Sequence, residues 1–469
     1  MSVEIGGPEM APDTPNARNA PAKPGRSSNS VAGAMRLEMG TFPVTSIAFG
    51  DRTAYDRGRL IVDRAAALAA VREDARIVEA DLEIAAPGES VRIWPVRDVI
   101  EPRLKVDGPG VCYPGTCGRD ITTVGRGRTH RLGGMGVVEV SSVNWHDAGG
   151  DFVETYLDMS GHYGAMYPYA RLWNLCAVVE PDRALGDEAR NDTAHRAALT
   201  VADHVAAATR GLTPPETEVF ELAPVDPGLP RVVYVQCVHS PQAMSNSPTA
   251  FGTTTYGLTQ LTPPWMLHPN EILDGALTGP YRTAFAMSWT VANNPLLLDL
   301  YRRHGRDWNF LGVIVLRTEW TTQHEKQLMA NQTAKLAHLL GAQGALVTWD
   351  AGGNEFIEVV RTIQACERLG IKTVFLTSED DATDGAPTML EPLPEADAIV
   401  STSFFKNRTL AVPPAPAVAR VIGLATKSIN DDRRTDTGVG DRIVPTAGPL
   451  PPPWRYDDHY GFGALSCIE

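Results

Sequence analysis

Cysteine is scarce in this sequence. Six of 469 residues, Cys112, Cys117, Cys176, Cys237, Cys366 and Cys467, are scattered along the chain. So few thiols exclude a disulfide scaffold and suit a reducing, cytoplasmic setting. Long apolar runs are missing as well: no stretch of ~18 apolar residues occurs, which excludes a membrane-spanning helix. Positive charge is in deficit, with 42 Lys and Arg against 56 Asp and Glu, a formal net charge of −14. Nucleic-acid binding needs a concentrated basic surface, so that class is excluded as a general role. Residues 1–34 lack the apolar segment of a secretory signal and have almost nothing to bury. Their Pro-, Ala-, Asn- and Ser-rich composition predicts a disordered extension.

What is present is globular in character: 43% hydrophobic and 21% charged residues, in a chain long enough for two or three domains. From Met35 the pattern is one of short β segments, beginning with "MRLEMGTFPVTSIAFG", and residues 35–225 read as a β-rich domain. Within it, "RLIVDRAAALAAVRED" predicts a short strand followed by an Ala-rich helix, and 187–210 an amphipathic helix ended by Gly211. From 226 to 425 the pattern changes. "RVVYVQCV" is a continuous apolar run of the kind a buried parallel strand shows. "NFLGVIVLRT", "GALVTWD", "KTVFLTS" and "DAIVSTS" alternate with helical segments over 323–341 and 354–369. Such alternation predicts an α/β domain with a doubly wound, largely parallel sheet. Residues 426–469 read as an irregular, Pro-rich tail.

In doubly wound sheets ligands sit at the carboxyl ends of the strands. That rule places "TEW" (318–320), "WDAGGNE" (349–355) and "TSEDD" (377–381) at a candidate rim, with Glu319 and Asn354 as substrate-binding candidates. The plainer reading of "DAGGNE" is a tight turn with Asn354 capping a helix. His239, at the end of its strand, is an acid–base candidate by position, although a histidine there is more often a structural hydrogen bonder. "GRGRTHRLGG" (125–134) gathers Arg126, Arg128, His130 and Arg131 in a glycine-rich stretch that could hold a carboxylate through its arginines, or be a solvated basic hairpin. His130, His146, Asp158 and His162 form a divalent-metal set if folding converges them. Cys112 and Cys117 flank a turn but lack a CxxC spacing or a second pair, so two unpaired thiols are the simpler reading.

Longer motifs go further. "PGESVRIWPVRDVIEPRLKVDGPG", "TVGRGRTHRLGGMGVV", "YLDMSG", "HPNEILDGALTG", "NNPLLLDLYRRHGRDWNFLGVIV" and "AIVSTSFFKNRTLAVPP" occur in order. Together they resemble the proprotein subunit of component B of glycine, sarcosine and betaine reductases, over about Met35 to Gly423. Proline reductase proproteins are more distant relatives. The resemblance implies a chain that cleaves itself at a Cys shortly after a "DGA…SG" segment. The new N-terminus becomes a pyruvoyl group, whose carbonyl forms an iminium with a substrate amine. A partner subunit bearing selenocysteine or cysteine then attacks the substrate carbon.

Here that segment reads "DGALTGPYRTAFAMSW". Gly279 matches the family glycine, and the place of the cysteine falls at about Tyr281. No cysteine lies between Cys237 and Cys366. Thr283 and Ser288 carry hydroxyls but stand off the matched place, and Pro280 lacks an N–H. The sequence therefore predicts an intact chain without pyruvoyl. Two classes of function follow. In the first the chain is a subunit of a hetero-oligomeric reductase, acting with a Cys- or selenocysteine-bearing partner on a small amino-acid-like or ammonium substrate. His130, Asp158 and His239 are then the catalytic candidates, Arg126 and Arg128 bind substrate, and a divalent metal on His130, His146 and His162 is the variant that replaces the carbonyl. In the second class the chain is an inactive scaffold or regulator of such a partner.

Overall fold

The sharpest apolar runs in the sequence become the centre of a seven-stranded sheet. In a computed structural model its order is Trp265–Leu267, Asn309–Thr318, Arg231–His239, Gly344–Trp349, Lys372–Thr377, Ala398–Ser401 and Ser466–Ile468. The structure describes residues 35–143, 156–239, 253–258, 263–279, 286–318, 322–350, 355–378, 393–402, 414–429, 442–450, 458–463 and 466–468. The five inner strands run parallel. Both outer strands pair antiparallel, a feature that apolar runs do not announce.

Both faces of this sheet are buried, which is why its strands read as unbroken apolar stretches. Val233, Val235, Cys237, Ile314, Leu316 and Val347 pack with the helices Gln323–Leu339 and Phe356–Arg368. Tyr234, Val238, Val313 and Val315 point the other way, toward the short helices Pro269–Leu273, Ser288–Ala292 and Pro295–Arg303. Asn294 caps the last of these, its Oδ1 accepting from the Leu296 and Leu297 amides, with Pro295 at the first helical position where its missing N–H costs nothing.

The first half is built from several small sheets. One has the order Glu216–Phe220, Leu37–Pro43, Gly127–Gly133, Arg103–Asp107. A second has Ile77–Ala85, Trp173–Pro181, Met135–Ser141, Val96–Ile100, and is covered by the helix Asp187–Ala206. That helix runs as its sequence predicts, and Gly211 beyond it takes a positive φ of 76°. The stretch read as a glycine-rich loop at 125–134 is mostly the strand Gly127–Gly133. Met35–Glu469 forms one compact unit, and the halves on either side of residue 225 are tied by buried charge. Arg103, bonded to Glu101, also donates to the backbone of Leu273 and of Ala292.

The C-terminal stretch is woven into the first half. Arg420–Gly423 pairs in parallel with Val91–Trp94. Beyond it, Thr426–Ile429 and Arg442–Pro445 form a hairpin. Arg92 fastens this region. Its Nε and Nη2 hold Asp158 at 2.6 and 2.9 Å. Its remaining N–H groups donate to the carbonyls of Thr446, Gly448 and Pro416, and the Tyr156 ring lies 4.6 Å from the guanidinium carbon. Burial pushes the Asp158 carboxyl upward, and Arg92 opposes that rise. Breaking a buried ion pair strands one charge, so Arg92→Leu is expected to cost about 3–5 kcal/mol in urea denaturation. It should also expose 414–450 to limited proteolysis first; a variant as resistant as wild type would show that the pair does not hold the tail.

Candidate functional site

The segment where the family would cleave itself leaves the described structure at Gly279 and returns at Ala286. The neck between these residues is tight: a Cβ on Gly279 would stand 1.9 Å from the Ala286 carbonyl oxygen, so only glycine fits. Ser288 closes the neck. Its Oγ accepts from the Gly279 amide at 3.1 Å and donates to Asp98 Oδ2 at 2.6 Å, while its own amide donates to Asp98 Oδ1 at 2.9 Å.

Asp98 lies on the strand Val96–Ile100, directly opposite Glu139 on the neighbouring strand. Two carboxylates in that relation repel each other. His195, from the helix above them, relieves the repulsion. Its Nδ1 is 2.8 Å from Glu139 Oε2 and 3.9 Å from Asp98 Oδ2. Burial pulls the imidazole pKa down, but the hydrogen bond and charge of Glu139 outweigh it and leave His195 above its ordinary value. Burial pushes the Asp98 carboxyl up to about 6, against the opposing charge of His195 and the bonds from Ser288. His195 Nε2 is buried without a hydrogen-bond partner among the described residues.

Beside this triad is a cavity of ≈ 230 Å³, lined among others by Thr116, Cys117, Glu139, Asp192, His195 and Thr254. It reaches the neck through threonines: Thr278, next to Gly279, lies 2.8 Å from Thr254 and 3.4 Å from Thr116, Oγ to Oγ. The preceding residue pair, Thr253–Thr254, faces two ways. Thr253 donates to Asp350 Oδ2 at 2.8 Å, at the carboxyl end of the strand Gly344–Trp349. The expected rim is thus one residue away from the cavity. At that rim His239 donates its amide to Asp350, and its Nδ1 lies 2.9 Å from Glu355 Oε1.

The other expected site residues are dispersed. Arg126 and Arg128 are exposed; Arg128 pairs with Glu38 at 2.6 Å and Arg126 Nε reaches Met35 Sδ. His130 is buried, with Nδ1 3.2 Å from the Thr209 carbonyl, and burial holds its pKa below the ordinary value. Asp158 is held by Arg92, and His162 is exposed on the short helix Gly161–Met166. His130, Asp158 and His239 stand on three different sheets, each with its own partners. His146, Glu319, Asn354, Tyr281 and Thr283 lie outside the described residues. Among the described residues no group of three His, Cys, Asp or Glu side chains is placed to hold a metal ion. Cys112 is buried and its thiol is pushed up to about 12 by burial; Cys117 donates to the Asp192 carbonyl and is likewise raised.

The glycine-rich stretch does hold a carboxylate, but the chain's own. Asp274 of "DGA" accepts from the Gly125 amide at 2.8 Å and Thr129 Oγ1 at 2.6 Å, and pairs with Lys105. Arg126 and Arg128 of that stretch face outward, while Arg131 is half-buried and donates to Thr41 and Asn293. Asp98, Glu139 and His195 escaped the sequence reading because they are far apart in the chain and lie in unremarkable β and helical patterns. "WPVRDV" offers one faint signal: a charged pair, Arg97 and Asp98, between the valines of a short strand.

This is a mixed α/β protein with a buried acid–histidine cluster set against a glycine-necked segment. Its sequence matches the family model for glycine/sarcosine/betaine reductase component B subunits over residues 35–434. It is 35% identical over 400 residues to the sarcosine reductase complex component B subunit alpha of Peptoclostridium acidaminophilum, covering 83% of this chain and 90% of that one. It is 36% identical over 400 residues to the betaine reductase complex component B subunit alpha of the same organism, covering 82% and 87%. To the glycine reductase complex component B subunits alpha and beta of Acetoanaerobium sticklandii it is 32% identical over 406 residues, covering 85% and 91%. No solved structure matches the chain. The protein belongs to the glycine/sarcosine/betaine reductase component B family.

Two outcomes follow from the neck. Gly279→Ala is expected to cost about 3 kcal/mol in chemical denaturation, because the added carbon meets fixed backbone rather than a side chain that can turn away. The second concerns pH. An acid whose folded pKa is raised binds its proton more tightly when folded. Its favourable contribution is therefore complete below about pH 4, the unfolded value, and is lost as pH rises through about 6. Asp98→Asn has no such contribution to lose. Its melting deficit relative to wild type should shrink between about pH 5 and pH 8; a deficit that grows would contradict the assignment.

Proposed function

We propose that this chain is a non-self-processing subunit of a glycine/betaine reductase-like complex, acting without a pyruvoyl group. Its partner is a subunit bearing a reactive cysteine or selenocysteine. Its substrate is a small amino-acid-like or ammonium compound. The residues at the neck do not fit a pyruvoyl group. That group forms from a chain residue with a β-nucleophile, and the matched place carries Tyr281 in a segment without cysteine. Ser288, the described hydroxyl that closes the neck, is engaged by Asp98 and by the Gly279 amide.

The observation that carries the reading is the acidic cavity beside the family's processing segment. Glu139, Glu188 and Asp192 contribute three carboxylates to its lining, against Arg97 and the His195 imidazole. The carboxylates favour a cationic amine or ammonium head. The volume of ≈ 230 Å³ sits below the range typical of drug-sized ligands, which favours a molecule of a few heavy atoms. A quaternary ammonium is already a competent leaving group. The partner's thiolate or selenolate can displace it at the adjacent carbon, the C–N electron pair departing with the amine, with no iminium required. In this chemistry the chain's task is orientation: the carboxylates of Glu139, Glu188 and Asp192 hold the cationic head, and His195, whose Nε2 has no hydrogen-bond partner among the described residues, is the group placed to exchange a proton with the departing amine.

The test has two parts. Intact mass spectrometry of the purified chain should give one species of full length that does not react with carbonyl reagents; two fragments with a blocked N-terminus would overturn the pyruvoyl-free reading. The chain reconstituted with its thiol- or selenol-bearing partner should then release amine from betaine, sarcosine or glycine. His195→Gln should lower kcat/KM at least tenfold with the complex still assembled. Unchanged turnover would remove the cavity from the chemistry.

A further inference from the structure

A second polar feature, at the carboxyl ends of the parallel strands, takes no part in the cavity's chemistry. Along Asn309–Thr318, Val313 and Val315 face the short helices, whereas Ile314 and Leu316 face the two long ones. Arg317 continues the alternation and lies on the face of Val313 and Val315. It stands opposite Val238 of the central strand, and Asp350, one step past the Cys237–Trp349 pair, flanks Val238 on the other side. Arg317 and Asp350 therefore share one row, two strand spacings or roughly 10 Å apart along the sheet.

They do not neutralise each other by contact. Both oxygens of Asp350 are taken, Oδ1 by the His239 amide and Oδ2 by the Thr253 hydroxyl. Arg317 is only 3% exposed, and both its Nη atoms are buried without a hydrogen-bond partner among the described residues. Burial lowers its pKa to about 10, with Asp350 opposing, so it remains a cation at neutral pH. A buried guanidinium with two unmet donors is costly unless something occupies them. The forked geometry of those donors matches a carboxylate bidentately. Asp350, on the same row, already places a carboxyl nearby, which disfavours a dianion such as phosphate. The position agrees with the rule that parallel sheets bind ligands beyond their strand ends.

We propose that Arg317 anchors a small-carboxylate site at the rim of the parallel sheet, taking one carboxylate across Nη1 and Nη2. Arg317 stands roughly 10 Å from Asp350, and the acidic cavity lies beyond Thr253 and Thr254, so this site takes its own carboxylate and does not rest on the proposed function.

The probe is sodium acetate, titrated into the purified full-length chain and followed by thermal shift and isothermal titration calorimetry at constant ionic strength. Sodium chloride and inorganic phosphate serve as comparison ions. Acetate should raise the melting temperature saturably in wild type, and Arg317→Gln should weaken its binding at least tenfold. Arg317→Lys, which keeps the charge but loses the fork, should fall between the two, so the comparison survives if the glutamine variant misfolds. Equal acetate binding by wild type and Arg317→Lys, no saturable binding to wild type, or tighter binding of phosphate would each overturn the assignment. Acetate binding in a chain whose complex shows no turnover would keep this site and remove the reductase reading.

Discussion

Two carboxylates placed opposite each other in a buried sheet set the terms for the centre of this molecule. Asp98 and Glu139 are cross-strand neighbours, and neither can stay ionised there without a counterweight. The counterweight comes from two directions. From one side the helix Asp187–Ala206 brings His195 against Glu139. From the other, Ser288 gives Asp98 an amide and a hydroxyl at once. Because Ser288 also receives the Gly279 amide, the electrostatics of the sheet fix the neck between Gly279 and Ala286. Burial, charge balance and the position of that neck are one constraint.

The same logic recurs on a larger scale. Asp274, Arg103 and Arg92 are all buried, and each joins parts of the chain more than 60 residues apart. Such pairs contribute little net stability beyond an apolar equivalent, but they are unforgiving of misplacement, since a stray partner leaves an unpaired charge in the interior. They account for how a chain assembled from several small sheets keeps distant segments in register. Arg317 departs from the pattern: it is buried like the others, yet its terminal nitrogens have no hydrogen-bond partner among the described residues.

Much of the secondary structure was legible because burial on both faces writes itself into sequence. The strands at 231–239, 309–318, 344–349 and 372–377 and the helices at 187–206, 323–339 and 356–368 follow from apolar runs and 3.6-residue periodicity. The antiparallel edges at 265–267 and 466–468 were not legible, since three-residue strands carry no period. The glycine-rich stretch at 125–134 misled in an instructive way. Glycine, arginine and histidine in succession suggest a binding loop, but strand alternation turns Thr129 inward to Asp274 and Arg128 outward to Glu38.

The sequence by itself determined the family, through long ordered motifs, and the missing thiol, through the absence of cysteine between Cys237 and Cys366. Both are properties of composition and order, which need no coordinates. Which polar residues meet was decided only by the tertiary structure. Asp98, Glu139, His195 and Ser288 span 190 positions between the first and last of them and share no local signal. Strand register brings the first two together, helix packing the third and the neck geometry the fourth. A hydrogen bond depends on distances of a few ångströms, and for residues this far apart in the chain only the folded backbone sets them.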